Sequence, residues 1–118
     1  MTQNSLEELI IEGIRDRKGR NITTVDMRAI EAAPVSGFII TEGSSNTQVS
    51  AIADSVRDDV QSHGDIKPFN YDGYGQSEWI VLDYGSLMVH IFQHEVRLRY
   101  NLEELWSDAV ISELPNLD

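Results

Sequence analysis

The 118-residue chain contains no cysteine. That absence removes disulfides, thiolate metal sites and a cysteine nucleophile together. Basic residues are scarce as well: nine Lys and Arg stand against twenty Asp and Glu, for a net charge of −11. Nucleic-acid affinity comes mostly from cations that displace phosphate counterions, so this balance disfavours direct binding of RNA or DNA. No run approaches the ~20 apolar residues that a membrane span needs. The opening residues, MTQNSLEELIIEGI, show no basic leader, no long apolar block and no small-residue cleavage site, and are too acidic for an organelle transit peptide. A soluble cytoplasmic protein is therefore expected. Repeats and linkers are lacking too, which leaves a single domain over residues 1–118.

What is present suits a folded core. The hydrophobic share is 41% and the aromatic share 8%, both ordinary for a globular chain. A domain of this size buries roughly two-thirds of the surface that its unfolded chain exposes. The acidity is uneven: residues 1–20 balance, with Arg15, Arg17, Lys18 and Arg20 against four acids, while residues 41–66 and 93–118 each carry −4. Such a surface attracts a basic protein, and it also serves solubility.

Ser5-Leu-Glu-Glu8 reads as a capping box ahead of Leu6, Leu9, Ile10 and Ile14 at helical spacing. The cations of the last turn suit the helix dipole, and Gly19 is expected to supply the stop. NITTVDM (21–27) and GFIITEG (37–43) are rich in β-branched residues and read as strands, with Pro34 in the connection. A second helix opens near Ser45 or Asn46, carries the stripe Val49, Ile52, Ala53, Val56 and Val60, and is expected to end at Gly64. Then KPFNY, EWIVLDYG and SLMVHIFQ give three more strands, the last two joined through Gly85-Ser86 as a hairpin. HEVRLRYNLEELWS reads as a helical turn and a short helix capped by Asn101, with Glu104 three residues on. Residues 108–118 show little pattern and are expected to form a mobile tail. The order α-β-β-α-β-β-β-α implies an α/β fold: a mixed sheet of about five strands, two long helices on one face and a short C-terminal helix. The other sheet face is then available to a partner.

Several chemistries can be weighed on spacing. His90 and His94 are four apart, as two ligands on one helical face would be, but LMVHIFQ is strand-like and turns successive side chains to opposite faces. Glu95 follows the second His rather than the first, so the HExxH pattern is absent, and His63 ends a different helix. His90 is expected to be a strand residue with a hydrogen-bond partner, and His94 an exposed residue near a helix start. No Ser sits in a GxSxG elbow. GSSNTQ (43–48) follows a strand and opens a helix, a junction whose amides can bind an anion. It lacks the second Gly and the Lys of a phosphate-binding loop. A magnesium-dependent nucleotidyltransferase also needs paired carboxylates on one strand, and the strands offer only Asp26 and Asp83 singly. Neither an enzyme, a metal nor a cofactor is expected.

EWIVLDYG alternates: Trp79, Val81 and Asp83 share one face, Ile80, Leu82 and Tyr84 the other. Two readings stay open. One face is core and the other packs under the C-terminal helix, or part of the set is an exposed aromatic patch ringed by acid, as at protein interfaces.

GSSNTQVSAIADSV and EWIVLDYGSLMVHIFQHEVRLRYNLEELW resemble the ribosomal silencing factor family, also called Iojap. The family pattern places G-x-S at a strand end and Q-V-x-A-I-A-D in a helix, met here by Gly43, Ser45, Gln48, Val49, Ala51, Ile52, Ala53 and Asp54. A later pattern is met by Trp79, Ile80, Asp83, Tyr84, Gly85, Val89 and His90, then by Glu95, Arg97, Tyr100, Leu102, Glu103, Leu105 and Trp106. The resemblance covers nearly the whole chain. It implies a nucleotidyltransferase-related fold without catalytic acids. It also implies binding to the large ribosomal subunit through its protein L-fourteen, which blocks subunit joining and lowers translation when nutrients are scarce. By carry-over, the partner-binding residues are Trp79, Ile80, Asp83, Tyr84, Met88, Glu95 and Tyr100. Met88 is included for its position and adaptable side chain. Tyr100, Leu102, Leu105 and Trp106 are expected to fasten the last helix to the sheet. A homodimer is kept as a further partner state. The alternative is an inactive nucleotidyltransferase-like nucleotide binder, or an adaptor for another basic partner.

Overall fold

The computed structural model describes residues 3–31, 33, 35–106 and 108–116, with residues 3 and 4 described as backbone only. Two long helices form where the apolar spacing is helical. In α1 (Gln3–Asp16), Leu6, Ile10 and Ile14 are buried. In α2 (Asn46–Gly64), the stripe Val49, Ile52, Ala53, Val56 and Val60 is buried throughout. Ser45 caps α2, its hydroxyl accepting from the Gln48 N–H at 3.1 Å. The helices cross closely at Gly13, where a Cβ would stand 2.8 Å from the Val56 Cα, and the Ser55 hydroxyl donates to the Gly13 carbonyl at 2.8 Å. Only glycine permits that approach.

Six strands make one sheet: β1 (Arg20–Asp26), β2 (Gly37–Gly43), β3 (Asn70–Asp72), β4 (Trp79–Asp83), β5 (Leu87–Gln93) and β6 (Val110–Glu113). Their order is β3-β4-β5-β2-β1-β6, with β2 and β5 parallel and every other pair antiparallel. The β4–β5 hairpin turns through residues 84–86, and Gly85 takes a φ of 86° there. Central β2 is buried on both faces along its whole length. After β5 come α3 (His94–Tyr100) and the single turn α4 (Leu102–Leu105). Among the described residues no helix is long and apolar enough to cross a membrane.

The sheet divides two cores. Toward α1 and α2 it presents Ile22, Ile39, Ile80, Leu82, Val89 and Ile91. On the other face a second cluster gathers Val25, Met27, Phe38, Ile40, Phe92 and Val96 beneath α3, α4 and the segment after β1. The far face is therefore only partly free: α3 rests on β5 and β2, whereas the β4 side carries the half-buried Trp79, Val81 and Asp83.

Several expectations are corrected. The first helix starts at Gln3, so Ser5 lies inside it rather than capping it. Its end carries the left-handed residue at Lys18 (φ 60°) instead of Gly19. Gly19 is needed for space, since a Cβ there would stand 2.4 Å from the Ile14 side chain. The second helix runs through Gly64 and ends on left-handed Asp65. His94–Tyr100 is a two-turn helix capped by Gln93, whose side-chain oxygen accepts from the Glu95 and Val96 amides. Asn101 precedes α4 in a left-handed conformation, and its amide donates to Glu104 at 2.7 Å in place of capping the backbone. Pro34 lies outside the described residues.

The chain end differs most from expectation. Residues 110–113 form β6 against the free edge of β1, the sixth strand beyond the five expected. Leu114 N–H then donates to the Ile22 carbonyl, and Asn116 accepts from the Asn21 N–H at 2.8 Å. An unpaired β1 edge would leave a row of backbone groups unsatisfied, and pairing removes it.

Candidate docking face

The period of two in WIVLD decides which side chains can meet a partner. Ile80 (0% exposed) and Tyr84 (5%) point into the helix-side core with Leu82. The resemblance implies that both meet a partner, but both are enclosed in the core, Ile80 within β4 and Tyr84 just after it. Trp79, Val81 and Asp83 stand on the opposite face, beside half-buried Met88 of β5. Asp83 also fixes the hairpin, accepting from the Gly85 N–H at 2.8 Å.

Trp79 is neither core nor free. Its indole stacks on buried Phe92 at 4.9 Å and meets the half-exposed Tyr100 ring at 4.7 Å. Its Nε1–H donates to His90 Nδ1 at 3.1 Å. His90 sits among Phe38, Phe92 and Trp79, and burial pushes its imidazole down to about 4. Neutral, with Nδ1 accepting, it carries its proton on Nε2, and that atom is buried without an acceptor among the described residues. The expected strand histidine with a hydrogen-bond partner is therefore present, and the partner is the tryptophan of the candidate face. This link was not legible in sequence, although the cross-strand pairing of Trp79 with Phe92 and of Val81 with His90 follows once the register is set.

The helices beside the face are held by a buried ion network that sequence reading missed. Arg97, 9% exposed, donates to Glu42 at 3.2 Å, to Glu103 at 2.6 and 3.1 Å, to Thr23 at 2.9 Å and to the Asn21 carbonyl at 2.6 Å. The second oxygen of buried Glu42 is engaged by His94, which is half exposed at the start of α3 as expected. One guanidinium thus ties α3 and α4 to β1 and β2. The arginine of E-x-R was the available signal, and a fork of five donors suits a multi-partner site. Leu102 and Trp106 pack on the second core as expected, while Leu105 is 70% exposed and Tyr100, half exposed, meets the Trp79 ring. Glu95 is exposed on α3.

The Gly43–Ser45 junction is closed by the chain's own Gln48. Its side-chain oxygen accepts from the Ser44 amide at 2.7 Å, and its NH2 donates to the Arg17 and Lys18 carbonyls at 3.2 Å. The groove beyond, of about 490 Å³, is lined by Lys18, Arg20 and His94 but also by Glu42 and Glu95. Among the described residues no three His, Asp or Glu side chains converge to hold a metal ion.

Comparison with known proteins gives one consistent outcome. The model of the family described as ribosomal silencing factor during starvation matches residues 2–118. A ribosomal silencing factor of Halalkalibacterium halodurans is 34% identical over 114 residues, covering 97% of this chain and 96% of that protein. One from Bacillus subtilis is 32% identical, covering 97% and 95%. A crystal structure of a Chromobacterium violaceum protein superposes with a TM-score of 0.84 at 31% identity, covering 91% of this chain and 88% of that one.

Proposed function

The chain belongs to the ribosomal silencing factor family, and from that premise we propose that it binds the large ribosomal subunit through protein L-fourteen and prevents the small subunit from joining. The observation that carries this reading is the family match along residues 2–118, which takes in every block around the candidate face. The physical character of the face supports it. A net charge of −11 favours encounter with a basic ribosomal protein and discourages adhesion to rRNA phosphates. Trp79, Val81, Asp83 and Met88, with Tyr100 at the rim, supply a central aromatic and apolar patch bordered by acid, the arrangement in which binding energy concentrates. A docking area of ordinary size buries about 1,200–2,000 Å² in total, enough to occlude an intersubunit bridge without any chemistry. Silencing then follows from occupancy, and translation falls when nutrients are scarce.

Sedimentation of the labelled chain with purified subunits tests the docking step. Retention by the large subunit and by isolated L-fourteen, but not by the small subunit, is expected. Equal retention by both subunits, or by neither, rejects the reading. The nucleotide-binding alternative is the weaker reading: the chain's own Gln48 occupies the junction amide, and the carboxylates of Glu42 and Glu95 offset the Lys18 and Arg20 charges at the adjoining groove.

A further inference from the structure

Beside Trp79 lies a groove of about 380 Å³ between the candidate face and α3. Trp79, Tyr100 and Val96 give it aromatic and apolar walls, and Asp72 and Glu78 give it carboxylates. No basic side chain lines it among the described residues. The Glu78 carboxylate is exposed and engages no partner among the described residues, while its backbone carbonyl accepts from the Gln93 N–H and so fixes its place at the head of β4. Asp72 uses one oxygen on the Gly73 N–H at 2.8 Å, which leaves the other for a ligand. The Trp79 indole is backed by Phe92 and held by His90, so its position is set before any partner arrives.

We propose that this groove receives one arginine side chain of the docking partner, its guanidinium lying against the Trp79 and Tyr100 rings and paired with Glu78 and Asp72. The inference rests on the reading that this face meets a basic protein, and it names the chemistry of recognition there. Three features favour arginine. A planar guanidinium stacks on aromatic rings, carries five donors for carboxylates, and is more weakly hydrated than an ammonium. The groove is continuous with the candidate face through Trp79, which belongs to both. Its unbalanced negative charge complements a cation and leaves an inserted acid or a neutral side chain without a charged partner.

The test titrates the full chain with N-acetyl-arginine amide at constant ionic strength and follows the indole N–H of Trp79 and the amides of Gly73 and Glu78 by NMR. N-acetyl-citrulline amide and N-acetyl-lysine amide serve as controls. Saturable shifts with arginine are expected, with citrulline weaker by roughly tenfold because it keeps the shape and loses the charge. Glu78→Gln and Asp72→Asn together should abolish the shifts, and both positions are exposed, so the fold is retained. Equal response to arginine and citrulline, no response, or lysine as effective as arginine overturns the proposal. A parallel arm measures large-subunit binding by the Glu78→Gln chain, for which weaker binding with a shallower salt dependence is expected. If the unsubstituted chain fails to bind subunits at all, the docking reading falls, and the amide titration still decides the groove.

Discussion

Lowering the pH from 7 to 4.5 should destabilise this protein through one histidine, and replacing it should remove that part of the loss. His90 is buried on β5, and its Nδ1 accepts from the Trp79 indole. Protonation would add charge in a site enclosed by aromatic rings and would set one donor against another at Nδ1. Burial is the dominant cause that lowers its pKa from 6.5 to about 4, and the Glu103 charge opposes it weakly. The unfolded chain takes up the proton near pH 6.5 and the folded chain only near 4. In that window the unfolded state binds more protons, so stability rises with pH. The contribution is complete above 6.5 and is lost as pH falls toward 4. The gap corresponds to ~3 kcal/mol, of which ~2–3 should be gone by pH 4.5. His90→Phe keeps an aromatic ring but leaves the Trp79 N–H without its acceptor, at a cost of about 1–3 kcal/mol at every pH. Urea unfolding of both chains from pH 7 to 4.5 is the assay, and carboxylate titrations common to both cancel in the difference. The parent should lose ~2–3 kcal/mol more than the variant over that range. Parallel pH profiles would refute the argument.

Arg97→Leu leaves the buried Glu42 carboxylate with His94 alone and takes the guanidinium from Glu103, and should cost about 3–5 kcal/mol in urea unfolding. Adding Glu42→Gln removes the second charge and should recover part of it, so additive losses would contradict the network as described. Gly13→Ala raises helix propensity by about 1 kcal/mol, yet its Cβ meets the Val56 backbone, so a net loss of about 1–2 kcal/mol is expected in a thermal melt. A raised melting temperature would mean that α1 and α2 are not in such close contact.

How much of this was legible in the sequence depended on whether a side chain's neighbours were local. The stripe of α2 and its start near Ser45 or Asn46 could be read directly, because helical spacing and the first-turn residues are local signals. Strand β6 could not, since all four of its residues are exposed and it exists to satisfy the β1 edge rather than to bury a face. The capping box at Ser5 failed because the helix gained two residues at its start. For the site, alternation separated Trp79 from Ile80 correctly, but it could not say which face was enclosed. Family carry-over kept Ile80 and Tyr84 among the docking residues, whereas α1 and α2 cover that side. The roles of His90 and Arg97 depend on partners 11 and 55 residues away, respectively Trp79 and Glu42, and such pairs appear only after the register of β2, β4 and β5 is known.

Light scattering of purified ribosomal subunits at joining-level magnesium, with the chain added first, tests the central claim most directly. Two variants accompany it, Trp79→Ala and Met88→Lys, each confirmed as folded by circular dichroism. Trp79→Ala should cost on the order of 2 kcal/mol of binding or more. The account predicts a dose-dependent loss of joined ribosomes that both variants relieve. Undiminished joining at saturating protein, or a block that both variants preserve, would contradict it.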